Sequence, residues 1–167
     1  MKKQLLIGLI VFLVGAFAGA GLMLLAYPFI FPPPVVNEQL DEQTIRQKLL
    51  RGEFIHPNPS DPVHWGKGGV GLHQQESTDI IFLEKDFEVG PGPAYHVYLS
   101  DRKLIRSNED FKAARNTDLG KLKSFKGSQV YAIPDGIGSG QRVSVVIWCE
   151  VFSQLISSAT LKPVNDN

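Results

Sequence analysis

Cysteine is almost absent from this chain of 167 residues, which contains only Cys149. One cysteine cannot form an intrachain disulfide, so the chain is not a small disulfide-stabilised domain. A single cysteine also excludes the cysteine-rich zinc modules. Covalent haem attachment needs two cysteines followed by a histidine, and Cys149 is followed by Glu150. Any sulfur chemistry of a cysteine in this chain therefore depends on one thiol.

The chain also has no formal net charge, because 17 Lys and Arg residues balance 17 Asp and Glu residues. No basic field is available to hold a phosphate backbone, so nucleic acid is not expected as a partner. No Gly-x-Ser-x-Gly elbow of a nucleophilic enzyme occurs. The histidines form no pair at i, i+2 or i, i+4, which leaves only a metal site built from residues distant in sequence; they are His56, His64, His73 and His96. We expect His56 and His73 to be solvated in or near loops, and His96 to lie on the wetter face of its strand. The sequence thus predicts neither a stand-alone enzyme nor a local metal site.

The amino-terminal segment, residues 1–31, is apolar and uncharged after its first two lysines. The run from Leu5 to Phe31 would form a helix of about 40 Å, longer than the roughly 30 Å hydrocarbon core of a membrane. We expect a span from Leu5 to Ala26, with Pro28 ending the helix. Because flanking cations tend to stay in the cytoplasm, we predict a cytoplasmic N-terminus and an extracytoplasmic C-terminal domain.

A cleaved signal peptide is the alternative interpretation of this segment. Its short apolar region would be Leu5–Val14, and its small-residue cleavage motif would be Ala16-Phe17-Ala18. However, the apolar run continues beyond this motif to Leu25, further than signal peptides require. The length therefore favours an uncleaved, single-pass signal anchor.

Residues 32–51 are predicted to link the membrane helix to a domain. Three consecutive prolines at its start favour extended polyproline II. Asn37 would then cap a short stalk helix running to about Arg51, with Gly52 as its stop. After the apolar run the chain has 15 basic and 17 acidic residues, so no attraction to anionic lipid headgroups is expected.

From residue 52 to residue 162 the chain changes to short β-rich runs separated by Gly, Pro, Asn and Asp. This spacing, without βαβ alternation, predicts an all-β domain that is a single β-sandwich or barrel. Residues 163–167 form a tail. We predict that Gly136–Gly140 is the loop of a hairpin joining the strands on either side. The predicted elements are strands at Ile80–Leu83, Tyr95–Leu99, Gln129–Ile133, Val143–Phe152 and Leu155–Leu161, and a helix at Glu109–Arg115 capped by Asn108.

Cys149 lies in the longest predicted strand. Alternation places Cys149 with Val145 and Ile147 on an apolar face, and Trp148 on the opposite face. A thiol that faces a core usually packs as a small hydrophobe, with a raised pKa that makes it inert. A functional thiol would need a nearby cation, an opening to solvent or a prosthetic group, since thiolates can hold haem iron. The residues alone leave both interpretations open.

The order of several short segments resembles the DM-thirteen domain, a family described as an electron-transfer module. The resemblance covers nearly all of residues 52–161. The segments are Gly52-x-Phe54, His64-x-x-x-Gly68, Leu83-x-x-Asp86-Phe87, Gly90-Pro91, His96-Val97-Tyr98-Leu99-Ser100, Leu119-Gly120-x-Leu122, Lys126-Gly127-x-Gln129-x-Tyr131-x-Ile133-Pro134, Val145-Val146-Ile147-Trp148-Cys149 and Ala159-x-Leu161.

The resemblance implies a redox role centred on Cys149, as a free thiol or as a ligand to a prosthetic group such as haem. His64 matches a recurrent family histidine, which makes it the candidate partner of Cys149 in cofactor binding. Related domains occur on cell-surface proteins, often beside DOMON domains, whereas this chain has one domain and a membrane anchor. The expected partners are thus the membrane and a redox or surface protein. The turn Gly90–Pro93 is longer than the Gly-Pro-Asp usual in the family.

The residues and the family resemblance lead to two hypotheses about function. The first is a membrane-anchored, extracytoplasmic electron-transfer module that uses Cys149. The alternative is a non-catalytic binding or structural module at the same place, in which Cys149 only fills the core.

Overall fold

The computed structural model describes residues 2–40, 45–75, 78–137 and 143–164. Its first element, α1 (Lys2–Ile30), has 29 residues, a mean hydropathy of 2.5 in its most apolar window and no burial there. At about 43 Å it is long enough to cross a bilayer. The helix continues past Pro28, because a proline in the last turn removes one backbone hydrogen bond and the amide of Phe31 still reaches the carbonyl of Tyr27 at 2.8 Å.

Strands dominate the rest of the described chain. They are β1 (Ile45–Ile55), β2 (Gly66–Lys67), β3 (Gly69–Gln75), β4 (Ile80–Leu83), β5 (Glu88–Val89), β6 (Tyr95–Ser100), β7 (Asn116–Lys121), β8 (Gln129–Ala132), β9 (Ser144–Cys149), β10 (Gln154–Thr160) and β11 (Lys162–Pro163), with a short helix α2 (Asn108–Lys112) between β6 and β7.

Most of these strands belong to one antiparallel sheet in the order β7-β6-β9-β10-β1-β3-β4-β8. The long strand β1 lies at its centre, pairing with β3 along its length, with β10 at Phe54 and Ile55, and with β11 at Leu50 and Arg51. The end strands β7 and β8 approach each other. The domain is therefore a nearly closed, barrel-like all-β structure, and the predicted fold class is confirmed. A separate ribbon pairs β2 with β5.

The interior of the barrel is apolar because alternate residues of each strand point inward. Cys149, at the end of β9, belongs to this core. Its fully buried aliphatic members include Val70, Leu72, Ile81, Leu83, Val97, Leu99, Val145, Ile147 and Ile156.

A second core covers the outer face of β9 and β10. The hydroxyl of Ser107 caps α2 by accepting a hydrogen bond from the amide of Asp110 at 3.2 Å. Helix α2 thus begins one residue earlier than the predicted Asn108 cap requires, and it ends at Lys112. Phe111 of α2 stacks on Trp148 with ring centroids 4.1 Å apart. Because Ile105, Val146 and Leu155 complete this cluster, β9 is buried on both faces.

The predicted stalk helix from Asn37 to Arg51 is wrong in the described residues. Residues 37–40 are not helical and residues 45–51 belong to β1, while residues 41–44 lie outside the described part. The backbone of Leu50 and Arg51 is held by pairing with β3 and β11, which outweighs a weak helical stripe. Gly52 allows a close contact, since an added Cβ would lie 2.7 Å from the carbonyl oxygen of Thr160.

The linker is bound to the edge of the barrel at Glu38. The backbone amide of Glu38 donates to the carbonyl of Ser128 at 3.0 Å, and the hydroxyl of Ser128 donates back at 2.6 Å. The carboxylate of Glu38 accepts hydrogen bonds from Lys123 at 2.8 Å and from the amide of Val130 at 2.6 Å. These contacts cover part of the otherwise unpaired edge of β8.

The predicted hairpin around Gly136–Gly140 is also wrong. Strand β8 pairs with β4, and β9 pairs with β6 and β10, so the segment between β8 and β9 crosses between distant strands. Residues 138–140 of the predicted loop lie outside the described residues. Glycine-rich composition indicates a turn, but the choice of strand partner depends on contacts remote in sequence.

Candidate functional site

Cys149 is the last residue of β9, at the rim of the barrel. Tyr95 lies opposite it on β6 and Gln154 lies opposite it on β10. Its side chain is only 1% exposed and faces the core, as the alternation predicts. The thiol donates a hydrogen bond to the carbonyl of Pro93, with sulfur and oxygen 3.2 Å apart.

Two opposing influences act on the protonation of this thiol. Burial, the largest influence, and the nearby charge of Glu150 raise the pKa of Cys149, while the backbone amides of Val151 and Phe152 offer hydrogen bonds that lower it. Burial prevails, so the pKa stays above its ordinary value and the closed structure keeps a protonated, unreactive thiol. The two amides nevertheless provide donors for a thiolate, which a purely apolar pocket lacks.

The turn Gly90–Pro93 covers the sulfur. Its first amide, that of Gly90, donates to the carbonyl of Trp65 at 3.1 Å. The turn is closely packed, since a Cβ added at Gly92 would overlap the hydroxyl of Tyr95. After the turn, the carbonyl of Ala94 accepts a hydrogen bond from the amide of Glu150 at 3.1 Å. Backbone hydrogen bonds thus hold both the start of the turn and the residue that follows it.

Backbone strain is concentrated on both sides of Cys149. Within the described ranges, the non-glycine residues with positive φ are Ala94, at 49°, and Ser153, at 48°. Ala94 follows the covering turn, and Ser153 ends the β9–β10 connection that carries the amides of Val151 and Phe152. Such conformations cost of order 1–3 kcal/mol and cluster at functional sites.

His64 lies in the loop between β1 and β2, paired with Asp61. Its Nδ1 is 2.6 Å from a carboxylate oxygen of Asp61, and the other oxygen accepts the amides of Val63 and His64. These hydrogen bonds, the one from the His64 ring being the largest influence, lower the pKa of Asp61 to about 2. A carboxylate that fixes one imidazole nitrogen leaves Nε2 for a ligand.

A small pocket of about 220 Å³ adjoins this pair and is lined by both Asp61 and His64. Helix α2 and the residues before it form the opposite wall with Arg106, Asn108 and Glu109. None of the contacts described for His64 joins it to Cys149. Tyr95, opposite Cys149 on β6, has a pKa raised by burial and to a smaller extent by the charges of Cys149 and Asp61.

Comparison with known families identifies the domain. The model of the family "Electron transfer DM13" matches residues 59–161, most of the chain and nearly all of the barrel. The chain belongs to the DM13 family. Among curated proteins and among solved structures, the comparison gave no match.

The DM13 domain as folded here does not fit haem at Cys149. The sulfur is 1% exposed, is packed among core side chains and points to the carbonyl of Pro93. The pocket beside His64 does not include Cys149 among its lining residues. A macrocycle on the sulfur would have to displace the Gly90–Pro93 turn and part of a closely packed core.

The histidines do not assemble a metal site in this DM13 domain. No group of three or more His, Cys, Asp or Glu side chains within metal-binding reach occurs in the described ranges. The nitrogen Nε2 of His56 lies 2.7 Å from the carbonyl of Asp61, and His96 lies 2.9 Å from the carboxylate of Asp118. The expectation that His73 is solvated is wrong, because it is 6% exposed on β3 and both ring nitrogens lack a described partner.

Sequence reasoning missed Asp61 and Tyr95 as parts of the site. The Asp61-x-x-His64 spacing was a usable signal, since a loop aspartate often binds side chains and amides three residues on. Tyr95 carried no such signal, because its position beside Cys149 depends on the pairing of β6 with β9.

Proposed function

We propose that this DM13 protein is a membrane-anchored, extracytoplasmic electron-transfer module whose reactive group is the thiol of Cys149. The observation that carries the proposal is the position of the sulfur at the rim of the barrel, where the amides of Val151 and Phe152 can stabilise a thiolate. Strained Ala94 and Ser153 on either side support the same interpretation. The family match supports electron transfer as the general function.

The chemistry we propose is thiol–disulfide exchange with a disulfide of a partner protein. When the Gly90–Pro93 turn opens, Cys149 loses its proton to water and its sulfur attacks one partner sulfur. A new bond forms between Cys149 and that sulfur, the partner's disulfide breaks, and the other partner sulfur leaves as a thiolate. A thiolate of a second partner, a dithiol electron donor, then attacks the sulfur of Cys149, which forms a second mixed disulfide and releases the first partner's sulfur as a thiolate. The donor's other thiolate attacks the donor sulfur of that link, so a disulfide forms within the donor and Cys149 leaves as a thiolate. Two electrons have then passed from the donor dithiol to the acceptor disulfide.

His64 has a separate role in the proposal. With Nδ1 held by Asp61, its Nε2 can bind a group that the partner brings to the adjoining pocket. We do not assign His64 a direct contact with Cys149, since the thiol is bound to Pro93.

The experiment for the redox role uses the full-length protein in membranes and glutathione disulfide as probe. We expect one glutathione on Cys149 under native conditions, released by a dithiol, and none on the Cys149→Ser variant. An adduct that appears only after denaturation would contradict the proposal.

The experiment for location is protease treatment of intact cells. Because Lys2 and Lys3 favour a cytoplasmic N-terminus, the barrel should be degraded without lysis. Protection of the barrel until lysis would place it in the cytoplasm and remove the proposed compartment.

Burial favours a second candidate function, a non-catalytic module in which Cys149 is core packing. The 1% exposure and the raised pKa of the thiol are what an inert core cysteine shows. Under this alternative, Cys149→Ala would preserve cellular function and lower stability by about 1–2 kcal/mol through lost packing. Loss of function in a folded Cys149→Ala protein would exclude it.

A further inference from the structure

A basic groove runs along the outside of the barrel, next to the pocket of His64. It has a volume of about 970 Å³ and lies between β1, β11 and the segment that precedes α2. Its cations come from three separate parts of the chain, namely Arg51, Lys103, Arg106 and Lys162, and the carboxylate among its described lining residues is that of Glu53.

The cations of this groove are mostly uncompensated. Arg51 is 3.9 Å from Glu84, a distance at which an exposed pair contributes little. Among the described residues, no ion pair involves Lys103, Arg106 or Lys162, whereas the adjacent Arg102 is bound to Asp110 at 2.7 Å. An excess of three positive charges thus lies in one groove of a chain that is slightly acidic after its membrane helix.

Exposed apolar side chains lie among the cations. Leu104 is 51% exposed and Val164 is 38% exposed, and both line the groove. Apolar residues combined with arginine are typical of protein interfaces, because arginine binds carboxylates with two parallel hydrogen bonds and packs through its flat face.

We propose that this groove docks an acidic segment of a partner protein, with carboxylates against its cations and apolar side chains against Leu104 and Val164. The concave shape favours a protein segment over a membrane, since a flat anionic surface contacts protruding cations better than the walls of a groove. Arg106 lines both the groove and the His64 pocket, so a docked partner would lie beside the proposed redox site. This inference rests on the proposed function for the identity of the partner as an electron donor or acceptor.

The test measures binding of a short fluorescent peptide rich in Glu, Asp and Leu to the full-length protein in nanodiscs of zwitterionic lipid. The variant Lys103→Glu/Lys162→Glu reverses two groove charges, and Lys103→Gln/Lys162→Gln neutralises them. The matched control Lys85→Glu/Lys121→Glu reverses two exposed lysines that do not line the groove. We expect the charge reversal to weaken binding at least about tenfold, the neutral variant to be intermediate, and the control to bind like the wild type.

Equal binding by the wild type and the groove variants would overturn the proposal, as would equal losses in groove and control variants. Groove-dependent binding to phosphatidylglycerol vesicles without binding of the peptide would overturn the assignment to a protein partner. Glutathionylation of Cys149 separates this inference from the redox proposal: the groove variants should keep it, and Cys149→Ser should keep peptide binding.

Discussion

The redox proposal requires that local opening of the Gly90–Pro93 turn governs access to Cys149. Between described residues, three hydrogen bonds hold this region closed: Gly90 to Trp65 at 3.1 Å, Glu150 to Ala94 at 3.1 Å, and Cys149 to Pro93 at 3.2 Å. At about 1 kcal/mol net for each bond, opening costs about 3 kcal/mol. The folded protein should therefore be alkylated about 150-fold more slowly than a free thiol.

Global unfolding would protect the thiol much more strongly. A typical stability of about 5 kcal/mol or more corresponds to protection of at least about 4,000-fold. The alkylation rate of the full-length protein with a maleimide, followed by mass spectrometry, separates the two routes. The measurement is unambiguous because Cys149 is the only cysteine.

Substitution of Gly92 tests the origin of the protection. A Cβ added at Gly92 would overlap the hydroxyl of Tyr95, so the Gly92→Ala substitution should destabilise the closed turn by about 1–3 kcal/mol. Because about 1 kcal/mol changes the opening equilibrium about fivefold, alkylation should accelerate at least about fivefold. The control Gly136→Ala has a positive φ of 80° but no atom within 4 Å of the new Cβ, so it loosens the fold without touching the turn. Protection that matches global unfolding, or that Gly92→Ala leaves unchanged, would refute local gating.

Three further predictions concern the thiol, the second core and the linker. Because burial raises the pKa of Cys149, the native alkylation rate should still be rising with pH at pH 9, and a plateau at neutral pH would contradict this. Phe111→Ala should lower the free energy of unfolding, measured by chemical denaturation, by about 3–5 kcal/mol. The control Phe152→Ala removes a ring that is 52% exposed and should lower it by about 0.5 kcal/mol or less. Similar losses in the two variants would disprove the second core. Burial works against ionisation of Glu38, but hydrogen bonds from Lys123 and a backbone amide hold its pKa below the ordinary value. Docking of the linker should thus persist above about pH 4.3 and weaken as the pH falls further. The Glu38→Gln substitution should expose the linker to protease at neutral pH. If the backbone hydrogen bonds alone held the linker, this substitution would not change its protease sensitivity.

Local patterns predicted individual strands well but not their partners. The apolar run Ile80–Leu83 and the alternating run at Tyr95–Leu99 are strands in the structure, because period two is a property of the local chain. The hairpin around Gly136 failed, because β8 and β9 obtain their hydrogen bonds from strands remote in sequence. The stalk helix failed for the same reason, since β1 is stabilised by three partner strands that its own sequence does not reveal.

The candidate site also contains features that local sequence patterns predicted and features that depend on tertiary contacts. Alternation predicted that Cys149 faces inward, and the chain's resemblance to a family selected Cys149 and His64 as candidates. The covering turn, the amides of Val151 and Phe152 and the pairing of His64 with Asp61 were not predicted. Burial of His73 was mispredicted, because exposure on the outer face of a strand depends on what packs over it.

By itself, the sequence determined an apolar helix long enough to cross a membrane, a β-rich domain and one inward-facing thiol. Each of these follows from composition or from the spacing of residues close together in the sequence, and these properties do not depend on the tertiary fold. Only the tertiary structure decided the chemistry around the sulfur, because its hydrogen-bond acceptor lies 56 residues away along the chain. The basic groove likewise exists only after folding, since its cations come from segments that β-pairing brings together.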